Sequence, residues 1–278
     1  MTGSPPTTAA EPILQLVRVS RRYGPRSNPV VALSQVSVEV RPQDRLGVVG
    51  ESGSGKSTLA RLLLALEEPD EGEVLFQGRS TQGRSRSELT ELRRAVQIVF
   101  QDPFSSLDPR LRVGDSIAEP LRSLRIQGDI RRRVEELLEA VGLPPGSARM
   151  FPHQFSGGQR QRVAIARSLA PQPRVLVADE AVSALDVSVR AQVLNLLASL
   201  VERFGLTLVF ISHDMAVVRH ICTRLVVLYR GQAVETGPVE QIFGDPQHPY
   251  TRALISSVPK LGGRIVAPTA FDWDAPAP

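Results

Sequence analysis

The segment Gly50-Glu51-Ser52-Gly53-Ser54-Gly55-Lys56-Ser57-Thr58 constrains this chain more than any other. It follows a short apolar run, Leu46-Gly47-Val48-Val49, and precedes a Leu- and Ala-rich stretch that reads as a helix to residue 66. The order is strand, glycine-rich loop, helix. That is the setting in which G-x-x-x-x-G-K-[ST] turns backbone N–H groups inward around phosphate oxygens. The glycines permit the turn, and a helix starting near Ser57 adds the positive end of its dipole. Glu51, Ser52, Ser54 and Thr58 complete the cradle through their backbones. Lys56 brings a compact charge to the outer phosphates, and the Ser57 hydroxyl can coordinate magnesium. The loop therefore predicts ATP and Mg²⁺ as ligands.

Two further apolar runs end on polar groups. Val175-Leu176-Val177-Ala178 runs into Asp179-Glu180, and residues 206–211 run into Ser212-His213. Helical patterns over 189–204 and 215–222 follow them. Strands alternating with helices predict an α/β fold, with a parallel sheet covered by helices on both faces. Carboxylates at the C-terminal end of such a strand stand at the ligand edge of the sheet. Asp179 is placed to hold Mg²⁺, directly or through water, and Glu180 to orient or deprotonate an attacking water. Phe155-Ser156-Gly157-Gly158-Gln159 opens another helix. Taken alone it is either a second anion site or an ordinary N-cap and turn.

Elsewhere, residues 13–19 and 36–40 read as strands, and 225–229, Arg230-Gly231 and 232–236 as a hairpin. Helical patterns over 87–96, 113–124, 130–141 and 159–169 predict an inserted helical subdomain at about 88–168. Residues 1–12 read as a flexible tail, and the chain turns Pro- and Ala-rich from Phe271. There is no internal repeat.

Composition excludes several alternatives. With 42% hydrophobic residues among 278, the chain can bury a sizeable core. The net charge is +4, and only Lys56 and Lys260 are lysines. The arginines are interleaved with acids. The densest run, Arg131-Arg132-Arg133, precedes Glu135-Glu136 and reads as a solvated helix face, so no nucleic-acid partner is expected. Cys222 is the one cysteine, which rules out an internal disulfide and suggests a buried thiol. The first residues lack the pattern of a secretion signal, and no run reaches the roughly 18 apolar residues of a membrane helix. A soluble, cytoplasmic chain is expected, with any work at a membrane done through partners. His153, His220 and His248 read as surface or structural residues, since none has a partner at metal-ligand spacing.

Taken together, these motifs resemble the nucleotide-binding subunits of ATP-binding cassette (ABC) transporters over roughly residues 13–260. Residues 50–58 match that family's Walker A motif. Gln101, in Val99-Phe100-Gln101-Asp102-Pro103, matches its Q-loop, and residues 155–159 its signature, with Phe155 where many members carry Leu. Residues 175–179 match Walker B, followed by Glu180. Ser183-Ala184-Leu185-Asp186 matches the D-loop, His213 the H-loop, and Tyr23 the aromatic that stacks on adenine. The resemblance implies a RecA-like P-loop NTPase core, an N-terminal antiparallel β subdomain and the inserted helical subdomain. It also implies a head-to-tail dimer in which Ser156, Gly157, Gly158 and Gln159 cover the nucleotide of the other chain, with Asp186 nearby. Glu180 would act as base, His213 would contact the γ-phosphate, and Gln101 would sense Mg²⁺ and water.

A closer resemblance is to the peptide and nickel importer branch. It rests on the segments 101–110 and 182–188, and on Phe243-Gly244-Asp245-Pro246-Gln247-His248-Pro249-Tyr250-Thr251-Arg252-Ala253-Leu254. A C-terminal extension of that type would span 241–278. The branch implies a second, often non-identical ATPase subunit and two permease subunits at the cytoplasmic face of the membrane. An extracytoplasmic binding protein would deliver the solute, with peptides favoured over nickel. Without a cysteine cluster, the chain is nearer the shorter ATPase of such pairs. Ala181 stands where the branch usually has Pro. A non-transport cassette acting on DNA or the ribosome is the rival reading. The short span between Gln101 and Ser156 and the single cassette weigh against it.

Overall fold

The computed structural model describes residues 11–25, 27–85, 87–102 and 106–257. The tail expected at 1–12 lies almost wholly outside the described residues, as do Lys260 and the segment from Phe271.

The centre is a six-stranded sheet in the order β10-β9-β3-β8-β7-β6. Its strands are β3 (Arg45–Val49), β6 (Val96–Val99), β7 (Val175–Asp179), β8 (Thr207–Ser212), β9 (Arg224–Tyr229) and β10 (Gln232–Pro238). All neighbours are parallel except β10, which returns antiparallel on β9. The inner strands are apolar without alternation because both faces are covered. Val175, Val177, Val209 and Ile211 point into one core, with Leu59, Leu62 and Leu63 of α1 (Lys56–Leu63). Leu176, Ala178, Leu208 and Phe210 point into the other. That second core holds Val193 and Leu197 of α6 (Val187–Phe204) and Met215 and Val218 of α7 (Met215–Ile221).

A four-stranded antiparallel sheet, β2-β1-β4-β5, lies over α1. It consists of β1 (Leu14–Tyr23), β2 (Val30–Val40), β4 (Glu71–Phe76) and β5 (Arg79–Ser80). Leu14, Leu16, Leu33 and Val74 seal it onto the α1 side of the core. The helical layer holds α3 (Val113–Ser123), α4 (Ile130–Ala140) and α5 (Gly157–Leu169), joined through Ile117, Leu121, Leu137, Leu138 and Val163. Asp129 caps α4 by accepting the Arg132 N–H at 3.0 Å. Arg131 and Arg132 pair with Glu135 and Glu136 at 3.2 and 3.0 Å in the open, as expected of a solvated face. Arg133 turns inward and donates to the Leu169 carbonyl at 3.0 Å.

One element reading is corrected. The helix expected over 87–96 is only α2 (Thr90–Ala95), and the chain then extends as β6, paired with β7 from Val96↔Val175 to Val99↔Ala178. The span 88–168 is therefore not helical throughout: it contributes an edge strand to the central sheet. Four residues are too few to show a period of their own beside a helical pattern, and β7 decides their conformation. The strands β4 and β5 were not expected either. The hairpin forms as read, with Arg230 and Gly231 both at positive φ, 47° and 78°, as a two-residue turn of this hand requires. Beyond it, α8 (Val239–Gly244) and α9 (Pro249–Ser256) fold back onto the central sheet.

Candidate nucleotide site

The parallel strands β3, β7 and β8 end together, so their C-terminal residues share one edge. Val49 pairs with Ser212, and Asp179 with Ile211. The phosphate loop leaves β3 at this edge. A Cβ on Gly50 would collide with the Leu228 carbonyl, and one on Gly55, at φ 105°, with the Ala32 carbonyl. Glycine is thus required by close backbone approach as well as by the turn. Gly55 stands at the N-cap of α1 and has no side chain to cap it, so the first-turn N–H groups are left for a ligand. Lys56 is buried, and its Nζ donates to the carbonyls of Gly50 and Glu51, both at 2.7 Å.

Asp179 ends β7 facing the start of α1. The Ser57 side chain lies beside its carboxylate, while Oδ1 is buried with no hydrogen-bond partner. Burial raises the Asp179 carboxyl above its ordinary range, and the neighbouring Glu180 charge adds to the rise. Burial also lowers the Lys56 ammonium, with Glu180, Asp179 and Glu51 acting against that effect. An orphaned carboxylate oxygen beside a hydroxyl side chain is a hard-oxygen donor set of the kind that fits a magnesium ion. Gln101, Asp102, Arg61 and Arg167 join Ser57 and Asp179 around an open cavity of about 610 Å³.

Glu180 follows with φ 46°, a left-handed conformation that costs a non-glycine residue of order 1–3 kcal/mol. The strand ends hold it there. Its N–H donates to the Ile211 carbonyl at 3.0 Å, and its own carbonyl accepts from the Ser183 N–H and hydroxyl at 3.0 and 2.9 Å. The twist brings its Oε1 to 3.4 Å from Nδ1 of His213, whose side chain is 59% exposed. Lys56, Ser57, Asp179, Glu180, His213 and Gln101 are thus gathered at one sheet edge.

The remaining sequence candidates stand apart from that edge. Ser156 caps α5, accepting the Gln159 N–H at 3.3 Å while Gln159 Oε1 accepts the Ser156 N–H at 2.9 Å. Gly157 and Gly158 pack toward Leu185 and Val189 at the start of α6, where Asp186 is the N-cap residue. Tyr23 lies on β1, its hydroxyl bonded to Glu67 and its ring under the Arg21 guanidinium, 5.0 Å from the centroid. Cys222 is buried, and its thiol is pushed up to about 12. His248 is structural: its Nδ1 caps α9 by accepting the Tyr250 N–H at 3.2 Å.

Two supports of the loop escaped the sequence reading. The Gly231 N–H donates to the Ser54 carbonyl at 3.1 Å, and the Glu51 N–H donates to the Tyr250 hydroxyl at 2.9 Å. Nothing in local periodicity marks either residue. The hairpin signal located Gly231, and the tail motif contained Tyr250, but neither pointed at the loop.

The ABC transporter family profile matches residues 33–183, and the profile of the oligopeptide/dipeptide transporter C-terminal region matches residues 234–269. The chain is 51% identical over 259 residues to the glutathione import ATP-binding protein GsiA of Pectobacterium atrosepticum, covering 90% of this chain and 42% of that protein. To the GsiA of Escherichia coli K12 it is 51% identical over 258 residues, covering 90% and 41%. It therefore spans about two fifths of the length of these relatives. Among solved structures, it is similar to the ATP-binding cassette MJ0796, solved as a dimer in a post-hydrolysis state bound to ADP and Pi. The TM-score is 0.73 at 32% identity, over 81% of this chain and 98% of that one. It is also similar to cbiO1 from Clostridium perfringens, part of the ABC transporter complex cbiONQ. There the TM-score is 0.74 at 27% identity, over 84% and 91%.

Proposed function

The chain belongs to the ABC transporter family of ATP-binding proteins, and from that premise we propose that it hydrolyses ATP to drive an importer of di- or oligopeptide-type solutes. The observation that carries the reading is the convergence of Lys56, Ser57, Asp179, Glu180 and His213 on one edge of the sheet. The peptide assignment is supported by the match over residues 234–269 and by relatives named for the import of glutathione, itself a small peptide.

In this reading Lys56 leaves the Gly50 and Glu51 carbonyls and pairs with the β- and γ-phosphates, while the N–H groups of 50–58 hold their oxygens. Ser57, Asp179 and Gln101 would hold Mg²⁺, which when bound neutralises charge on the phosphate oxygens. Glu180 takes a proton from water as its oxygen bonds to the γ-phosphorus. The bond to the β–γ bridging oxygen breaks, leaving ADP and phosphate. His213 holds the γ-phosphate and the water in line. Tyr23 stacks on adenine, which requires Arg21 to share the ring or give way. The loop completes its site against the signature of a second, non-identical ATPase subunit, and this chain's Ser156, Gly157, Gly158, Gln159 and Asp186 cover that subunit's nucleotide in return. Two permeases carry the pair at the cytoplasmic face of the membrane, and an extracytoplasmic binding protein supplies the solute. Among the described residues no helix is long and apolar enough to cross a membrane.

The test is ATP turnover by the transporter assembly purified with its binding protein, challenged in turn with dipeptides, oligopeptides, glutathione and Ni²⁺. Stimulation by peptides supports the assignment. Stimulation by Ni²⁺ alone replaces it with metal import. Lys56→Ala should weaken ATP binding at least tenfold by calorimetry, and unchanged affinity would contradict the phosphate-loop assignment.

A further inference from the structure

We propose that Tyr250 is a positioning residue of the nucleotide site, its hydroxyl fixing the Gly50–Glu51 peptide that holds Lys56. The inference rests on the phosphate loop binding nucleotide. The Glu51 N–H donates to the Tyr250 hydroxyl at 2.9 Å, and the Gly50 carbonyl, the other edge of the same peptide group, accepts from Lys56 Nζ at 2.7 Å. A peptide group is planar, so anchoring its N–H sets the direction of its carbonyl. Lys56 Nζ also reaches the Glu51 carbonyl at 2.7 Å. One acceptor of the resting ammonium therefore belongs to the amide that Tyr250 holds, and the other to the next peptide along. Gly50 runs close to β9, since a Cβ there would collide with the Leu228 carbonyl.

The anchor is itself braced. Tyr250 is 2% exposed, and its ring packs on Tyr229 of β9 with centroids 4.3 Å apart. Its N–H is held by His248 Nδ1, and Glu235 of β10 accepts the N–H groups of Gln247 and His248 at 2.9 and 3.1 Å. A continuous set of hydrogen bonds thus runs from β10 through the N-terminus of α9 to the phosphate loop, joining residues 199 positions apart. Tyr250 acts on the nucleotide site through Glu51 and Lys56. Its removal should loosen the loop before nucleotide arrives, so that binding must order a peptide that is otherwise already set.

The test uses the full chain and the variant Tyr250→Phe, which deletes the hydroxyl and keeps the ring on Tyr229. One neutral hydrogen bond is worth about 0.5–1.5 kcal/mol net, so ATP affinity by calorimetry should fall roughly 2- to 10-fold. The thermal midpoint should fall by no more than about 5 °C, because one hydrogen bond is lost while the ring contacts are kept. Exchange of the Glu51 amide hydrogen should accelerate by a similar factor. A purely structural role for Tyr250 would lower the midpoint and leave affinity alone. Unchanged ATP affinity in Tyr250→Phe overturns the inference while the phosphate-loop reading stands. A wild-type chain that fails to bind ATP overturns both.

Discussion

Asp179 shows how the site trades stability for chemistry. Its Oδ1 is buried without a partner, and burial raises its carboxyl. A carboxyl whose folded-state value lies above its unfolded value contributes stability that is complete below the unfolded value, near pH 4, and lost as pH rises through the folded one. Ionising Asp179 as pH rises therefore weighs against the nucleotide-free fold. Asp179→Asn should raise the thermal midpoint of the free chain by about 2–4 °C at pH 7, and the gain should shrink as pH falls toward 4. The same variant should bind ATP more weakly in the presence of Mg²⁺. A lower midpoint at pH 7 would contradict the unpaired-charge account. These residues were legible in the sequence because each is fixed by its own strand end or loop. The +46° φ of Glu180 was not legible, since it depends on Ile211 and Ser183 holding its backbone.

At the scale of elements, the phosphate loop is held by pieces of chain that are distant in sequence. The turn of the β9–β10 hairpin donates from Gly231 to Ser54, and the Ser34 N–H in turn donates to the Gly231 carbonyl at 2.8 Å. Gly231 has φ 78°, and a Cβ there would stand 2.9 Å from the Ala32 carbonyl. Gly231→Ala should therefore cost about 1–3 kcal/mol, seen as a drop in thermal midpoint, and should weaken ATP binding along with it. A variant that melts like wild type would show that the turn does not brace the loop. The central α/β order was readable because β3, β7 and β8 are continuous apolar runs with helices after them. β4 and β6 were not. Glu71–Phe76 opens with Glu-Gly-Glu, and Val96–Val99 is only four residues long, so pairing with β1 and β7 sets their conformation rather than local preference.

At the scale of the whole molecule, the chain carries two helix starts suited to anions, on α1 and α5, but gathers its charged groups at only the first. Ser156 and Gln159 are exposed and satisfied by each other, and Gly157 and Gly158 lean on α6. The proposed head-to-tail pairing gives this second start a purpose on the other subunit. Ser156→Arg should leave ATP binding by the isolated chain unchanged. It should also prevent the ATP-dependent doubling of particle mass expected when the chain is mixed with its partner ATPase, as read by light scattering. A doubling that survives the substitution would place the interface elsewhere.

The central claim is that Lys56 and its loop bind ATP while Glu180 drives its hydrolysis. It is tested most directly by measuring ATP binding and ATP turnover side by side in the assembled transporter carrying Glu180→Gln. The account predicts binding within about twofold of wild type and turnover reduced by about 10²–10⁴-fold. Turnover close to wild type would contradict it.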